Sequence, residues 1–179
     1  MENVILIGMP GCGKSTVGVV LAKLLGYDFL DTDLLIQRNC GARLQTLIDT
    51  LGNQRFLDLE AKTICGLHCR ETVVATGGSA AVHPDGADAI RKLGIVVYLQ
   101  HPCEEIAGRI HNLSSRGITL ERGQTLEDLY RFRVPYYEAL ADITVHAAGF
   151  SVEETALAAQ EAILRFRTQR EDAAARRTG

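Results

Sequence analysis

The run Gly8-Met9-Pro10-Gly11-Cys12-Gly13-Lys14-Ser15-Thr16 fits the spacing G-x-x-x-x-G-K-[ST]. Its glycines let the backbone curl so that successive N–H groups face phosphate oxygens, with the positive end of the next helix behind them. Lys14 is spaced to reach the outer phosphates and the Ser15 hydroxyl to ligate magnesium, while Gly11, Cys12, Gly13 and Thr16 complete a cradle for ATP. Two carboxylates follow at Asp31-Thr32-Asp33. Asp31 suits a hydrated magnesium ion held through water. Asp33 suits a general base that draws the proton from an attacking hydroxyl, and it could also open the next helix as its N-cap. A third polar cluster is Gly77-Gly78-Ser79, and a fourth is Arg116, a cation in a Gly-, Ser- and charge-rich stretch over 112–124. Phosphoryl transfer often needs a mobile cation over the transferring group, so that stretch reads as a lid. Lys14 is expected to be exposed without nucleotide. Cys12, beside it and before a helix N-terminus, is expected to have a lowered pKa and a reactive thiol.

These groups need a scaffold that brings them together. Apolar β-branched runs place strands near 3–7, 28–31, 72–76, 95–99 and 142–146. Helical spacing of apolar residues places helices near 14–25, 33–40, 53–69, 103–111, 125–140 and 152–167. The alternation predicts an α/β fold, a parallel sheet with helices on both faces. Ligands in such sheets sit outside the carboxyl ends of the strands, where the polar clusters fall. The 179 residues fit a single domain over 1–168, with 169–179 expected as a disordered tail because it has no apolar face. A net charge of −3 argues against a nucleic-acid-coating protein. No secretory leader is read at the N-terminus, and no apolar run approaches the roughly 20 residues of a membrane span. Five cysteines without framework spacing suit a reducing, cytoplasmic setting. Cys65-x-x-His68-Cys69 lacks a second ligand pair and does not read as a zinc site.

In order along the chain, the phosphate loop, Phe29-Leu30-Asp31-Thr32-Asp33, Ala75-Thr76-Gly77-Gly78 and Arg133-Val134-Pro135-Tyr136-Tyr137-Glu138 resemble the shikimate kinases. The resemblance runs from about residue 3 to 167. It implies a three-layer P-loop kinase fold of the nucleoside monophosphate kinase class, with a five-stranded parallel sheet, a substrate-binding segment over about 33–60 and a lid over about 112–124. It also implies a monomer that transfers the ATP γ-phosphoryl group to the 3-hydroxyl of shikimate, a step of chorismate and aromatic amino-acid biosynthesis. By the same resemblance Asp33, Gly77, Gly78 and Arg133 bind shikimate, Lys14, Asp33 and Arg116 act in transfer, Arg116 approaches the phosphates, and Arg109 stacks on adenine. The family typically reads G-E-x-x-F-R-x-x-E where this chain has Gly52-Asn53-Gln54-Arg55-Phe56-Leu57-Asp58-Leu59-Glu60. Leu57 therefore stands where the resemblance implies the arginine that grips the acceptor carboxylate, and Arg55 should point away from it, two helical steps being a turn of about 200°. Ser79 replaces a third glycine, and Gly117-Ile118-Thr119 follows Arg116 where the family has P-L-L. Two other readings stay open: a kinase of the same fold for another polyol, sugar acid or nucleotide-like acceptor, and a nucleotide-binding regulatory domain without transfer activity.

Overall fold

The computed structural model describes residues 2–110 and 123–178. Val4, Ile5, Leu6 and Ile7 carry no polar side chain, so a strand made of them must be covered on both faces. In β1 (Asn3–Ile7) all four have no solvent exposure. The strand lies at the centre of a five-stranded sheet of order β2-β3-β1-β4-β5, in which every pairing is parallel. Its neighbours are β3 (Thr72–Ala75) and β4 (Gly94–Gln100), with β2 (Asp28–Asp31) and β5 (Ile143–His146) at the edges. Helices flank the sheet. α1 (Lys14–Leu25) packs on α7 (Val152–Thr178), and α3 (Leu44–Cys65) packs on α4 (Pro84–Leu93). α2 (Thr32–Cys40), α5 (Cys103–Arg109) and α6 (Leu126–Leu140) complete the layers. Parallel strands bring their carboxyl ends to one edge, so the loops after β1, β2, β3 and β4 meet there.

The strands lie within a residue or so of their expected positions, whereas three helical features differ. α4 was not expected. His83 caps it by accepting from the Asp85 N–H, Pro84 opens its first turn, and Ile90 is fully buried against the sheet. α3 begins at Leu44, well before the expected residue 53, because it is two helical stretches joined at Gly52, whose φ of 77° and ψ of 165° are not helical. The tail expected to be disordered is helical to Thr178. Arg167 donates to the Tyr27 hydroxyl and Arg170 pairs with Glu2 at 2.8 Å, and the alanines beyond favour helix. Among the described residues no helix is long and apolar enough to cross a membrane.

Candidate active site

Gly13 lies in the left-handed region at φ 94° and supplies no side-chain cap to α1, so the first N–H groups of that helix are open to an anion. Ser15 and Thr16 are exposed at this mouth. Lys14 departs from expectation: it is only 7% exposed, and Nζ donates to the carbonyl oxygens of Gly8 and Met9, both at 2.8 Å. The loop's own backbone thereby satisfies the ammonium, since a charge left unpaired there would be costly. The Cys12 side chain is buried as well, its sulfur 3.7 Å from Lys14 Nζ. The loop folds this sulfur inward, toward the Lys14 ammonium.

Asp31, not Asp33, caps α2, with Oδ1 accepting from the N–H of Asp33 at 2.9 Å and of Leu34 at 3.1 Å. Capping by its neighbour leaves the Asp33 carboxylate free to face the cavity. Thr32 Oγ1 accepts from the Gly77 N–H at 3.0 Å and so ties the end of β2 to the loop after β3. Burial pushes the Asp33 carboxyl up to about 6, the Asp31 charge adds to this, and Lys14 opposes it.

Glu60 is the functional-site residue that sequence reasoning left without a role. It is 3% exposed and accepts a hydrogen bond from the Ser79 hydroxyl. Burial pushes its carboxyl up to about 7; the Ser79 hydrogen bond opposes that rise, Asp33 reinforces it, and Arg133 and Lys14 also oppose it. The available signal was the spacing of Phe56 and Glu60, four residues apart and thus on one helix face, where a buried phenylalanine drags the carboxylate inward. A Cβ on Gly77 would overlap Glu60 Oε1, so a side chain there would displace the Glu60 carboxylate.

α6 contributes a second grip. Arg133 is 3% exposed and its Nη1 lies 3.1 Å from where a Cβ on Gly78 would sit. One turn later the Tyr137 hydroxyl donates to the Gly78 carbonyl, with its ring 5.3 Å from that of Tyr98. Asp33, Gly77, Gly78 and Arg133 thus come together, next to the phosphate loop. All but Gly77 line a cavity of about 990 Å³ that continues past Lys14 and Ser15 to His101, Arg109 and Phe150. At that far end Arg109 Nη1 lies 3.2 Å from His101 Nε2. Leu57 is half-buried and does not line the cavity, Arg55 is exposed, and Arg43 does line it. Arg116 and the lid through residue 122 lie outside the described residues.

The oxygen donors at the mouth, a serine hydroxyl and aspartate carboxylates, are of the kind magnesium accepts. Asp31 does not line the cavity and has one oxygen committed to the cap, which suits contact with an ion through water rather than directly.

A family model described as shikimate kinase matches residues 10–164. The shikimate kinase of Chlorobium chlorochromatii is 37% identical over 166 residues, covering 84% of this chain and 87% of its own length. That of Methylococcus capsulatus is 33% identical over 175 residues, covering 94% and 98%. The solved structure of a shikimate kinase from Acinetobacter baumannii in complex with shikimate superposes with a TM-score of 0.86 at 32% identity, covering 92% of this chain and 94% of that one.

Proposed function

Because the chain belongs to the shikimate kinase family, phosphotransferases that act on a hydroxyl group, we propose that it transfers the γ-phosphoryl group of ATP to the 3-hydroxyl of shikimate. The observation that carries this reading is the convergence of Asp33, Gly78 and Arg133 on one cavity with the phosphate loop. ATP phosphates would take the open N–H groups at the start of α1. Lys14 would then leave the Gly8 and Met9 carbonyls for phosphate oxygens, exchanging two neutral acceptors for charged ones. Ser15 would hold magnesium directly and Asp31 through water; when bound, that ion neutralises charge on the β- and γ-phosphates. Arg133 offers its guanidinium to the acceptor carboxylate beside Gly78. Asp33 accepts the hydroxyl proton as the oxygen attacks, and a carboxyl pushed up to about 6 is a stronger base than an ordinary aspartate at neutral pH. Arg116 would close over the phosphates and Arg109 would lie against adenine.

A coupled ADP-release assay with MgATP and shikimate tests the proposal. Saturable turnover that is lost in Asp33→Asn is expected. Tight MgATP binding with no turnover on shikimate or related hydroxy compounds would overturn it in favour of a regulatory nucleotide-binding domain.

One observation favours a second acceptor class. Among the described residues Arg133 is the only buried arginine, and Leu57 gives the cavity no charge. A polyol without a carboxylate would need no second cation. Faster turnover of such a compound than of shikimate in the same assay would select this reading.

A further inference from the structure

At the nucleotide end of the cavity three side chains form a chain that the transfer chemistry does not use. His101 follows β4 directly and its ring is buried, 3% of the residue being exposed. Its Nδ1 lies 3.0 Å from Glu105 Oε2, and its Nε2 lies 3.2 Å from Arg109 Nη1. An arginine offers only donors, so Nε2 must be the acceptor and the ring hydrogen sits on Nδ1, donated to Glu105. The same Glu105 oxygen lies 3.5 Å from Arg109 Nη2. Glu105 Oε1 accepts from the Gly149 N–H at 3.0 Å, which holds the loop that carries Phe150 and Ser151 into the cavity. The Tyr130 hydroxyl of α6 donates to the His101 carbonyl at 3.0 Å and fixes the backbone from the other side.

We propose that His101 is a positioning residue for nucleotide binding: as a neutral imidazole buttressed by Glu105, it holds the half-exposed Arg109 guanidinium against the nucleotide end of the cavity. The inference rests on the proposed placement of ATP, with its base at Arg109. Arg109 alone is a long side chain whose ordering costs rotamer entropy. With its two amino groups engaged by His101 and Glu105, its plane is set before the base arrives, and binding is spared part of that cost. Protonation of Nε2 removes the acceptor and places a cation against the guanidinium. The groups facing the ring are Glu105 and Arg109 from α5 and the backbone of Cys12 from the phosphate loop. Burial lowers the His101 pKa and Arg109 lowers it further, while Glu105 and the Cys12 carbonyl oppose the shift. The neutral form of the ring is therefore favoured beyond that of an ordinary imidazole.

The test is steady-state kinetics from pH 5.5 to 8 on the wild type, His101→Leu, Glu105→Gln and Arg109→Ala, with folding checked by circular dichroism. In the wild type KM for ATP should rise on acidification. His101→Leu should raise KM for ATP by about three- to tenfold at pH 8, by more than it lowers kcat, and should flatten the acid rise. Adding Arg109→Ala to His101→Leu should cost little more than either change alone. If His101→Leu does not fold, Glu105→Gln must give the same KM effect, and a normal KM in that variant overturns the inference. Arg109→Ala raising KM while the His101 and Glu105 variants stay normal overturns the role of His101 alone. Arg109→Ala leaving KM for ATP unaltered overturns it together with the nucleotide placement.

Discussion

At the scale of single residues the site is a contest over charges that share one cavity. Lys14 is satisfied by two backbone carbonyls, so it has a structural part beside the catalytic one we propose. Lys14→Ala should lower kcat by about 10²–10³-fold, the range seen when one charge-stabilising donor is removed. The same change should lower the melting temperature of the nucleotide-free protein measurably, because two carbonyls lose a charged donor. Loss of activity with an unchanged melting temperature would deny the structural part. Asp33 must be ionised to act as a base, and its carboxyl is raised to about 6. The value of kcat/KM for the acceptor should therefore fall as pH drops through about 6 and level off above it. A profile flat from pH 5 to 7 would remove Asp33 as the base. Glu60 gives a separate stability signature. Its folded pKa of about 7 lies above the ordinary 4.5, so between these values the folded state binds more protons than the unfolded one. Stability contributed by the neutral carboxyl is present below pH 4.5 and is lost as pH rises through about 7. Glu60→Gln should flatten the decline in melting temperature between pH 5 and 8, as read by calorimetry.

At the scale of elements, α3 and α6 both line the end of the cavity that we propose for the acceptor, through Glu60 and Arg133. α6 grips the loop after β3 through Arg133 and Tyr137, one turn apart, and its start is set by the reciprocal capping box of Thr125 and Asp128. Tyr137→Phe removes one hydrogen bond to the Gly78 carbonyl without changing the ring packing. A neutral hydrogen bond contributes about 0.5–1.5 kcal/mol, so KM for the acceptor should rise about two- to tenfold with little change in KM for ATP. Equal effects on both substrates would show that α6 supports the whole site rather than one end. On α3, Leu57 and Glu60 are three residues apart and share a face, so a longer side chain at 57 could reach the cavity that Glu60 lines. Leu57→Arg should raise kcat/KM on shikimate, recovering part of the roughly 2–5 kcal/mol that an arginine–carboxylate pair carries in a desolvated site. A fall on shikimate with a fall on every other acceptor would mean that the guanidinium disrupts the Glu60 environment instead.

For the whole molecule, the parallel sheet turns distance in sequence into proximity. Residues 14, 33, 78 and 133 meet because the ends of β1, β2 and β3 open on one edge and α6 brings Arg133 to the same cavity. The tail of α7 takes no part in this. Residues 171–176 are exposed, and the attachment to the body comes earlier, from Arg167 on Tyr27 and Arg170 on Glu2. Exposed ion pairs are worth about 0–1 kcal/mol. Truncation after Arg170 should therefore leave the melting temperature within about 2 °C of the full chain, and truncation after Phe166 should lower it more. A large drop on the shorter deletion would reveal contacts of the last residues that these bonds do not supply.

The order of strands and most helices was legible because β1, β3 and β4 are unbroken apolar runs and the helices between them keep a regular apolar spacing, both being local properties of the chain. The phosphate loop was legible for the same reason, its nine residues being contiguous. α4 was missed although His83-Pro84-Asp85 carried a start signal and Ala87, Ile90 and Leu93 recur at helical spacing; its ten residues are a short window for that period. What sequence could not set was the partner of each charge. Whether Asp31 or Asp33 capped α2, whether Lys14 faced water or its own loop, and whether Glu60 lay in the cavity depended on which neighbours the sheet delivered. Desolvation and pairing are properties of a volume shared by segments far apart in the chain, so only the tertiary structure decided them.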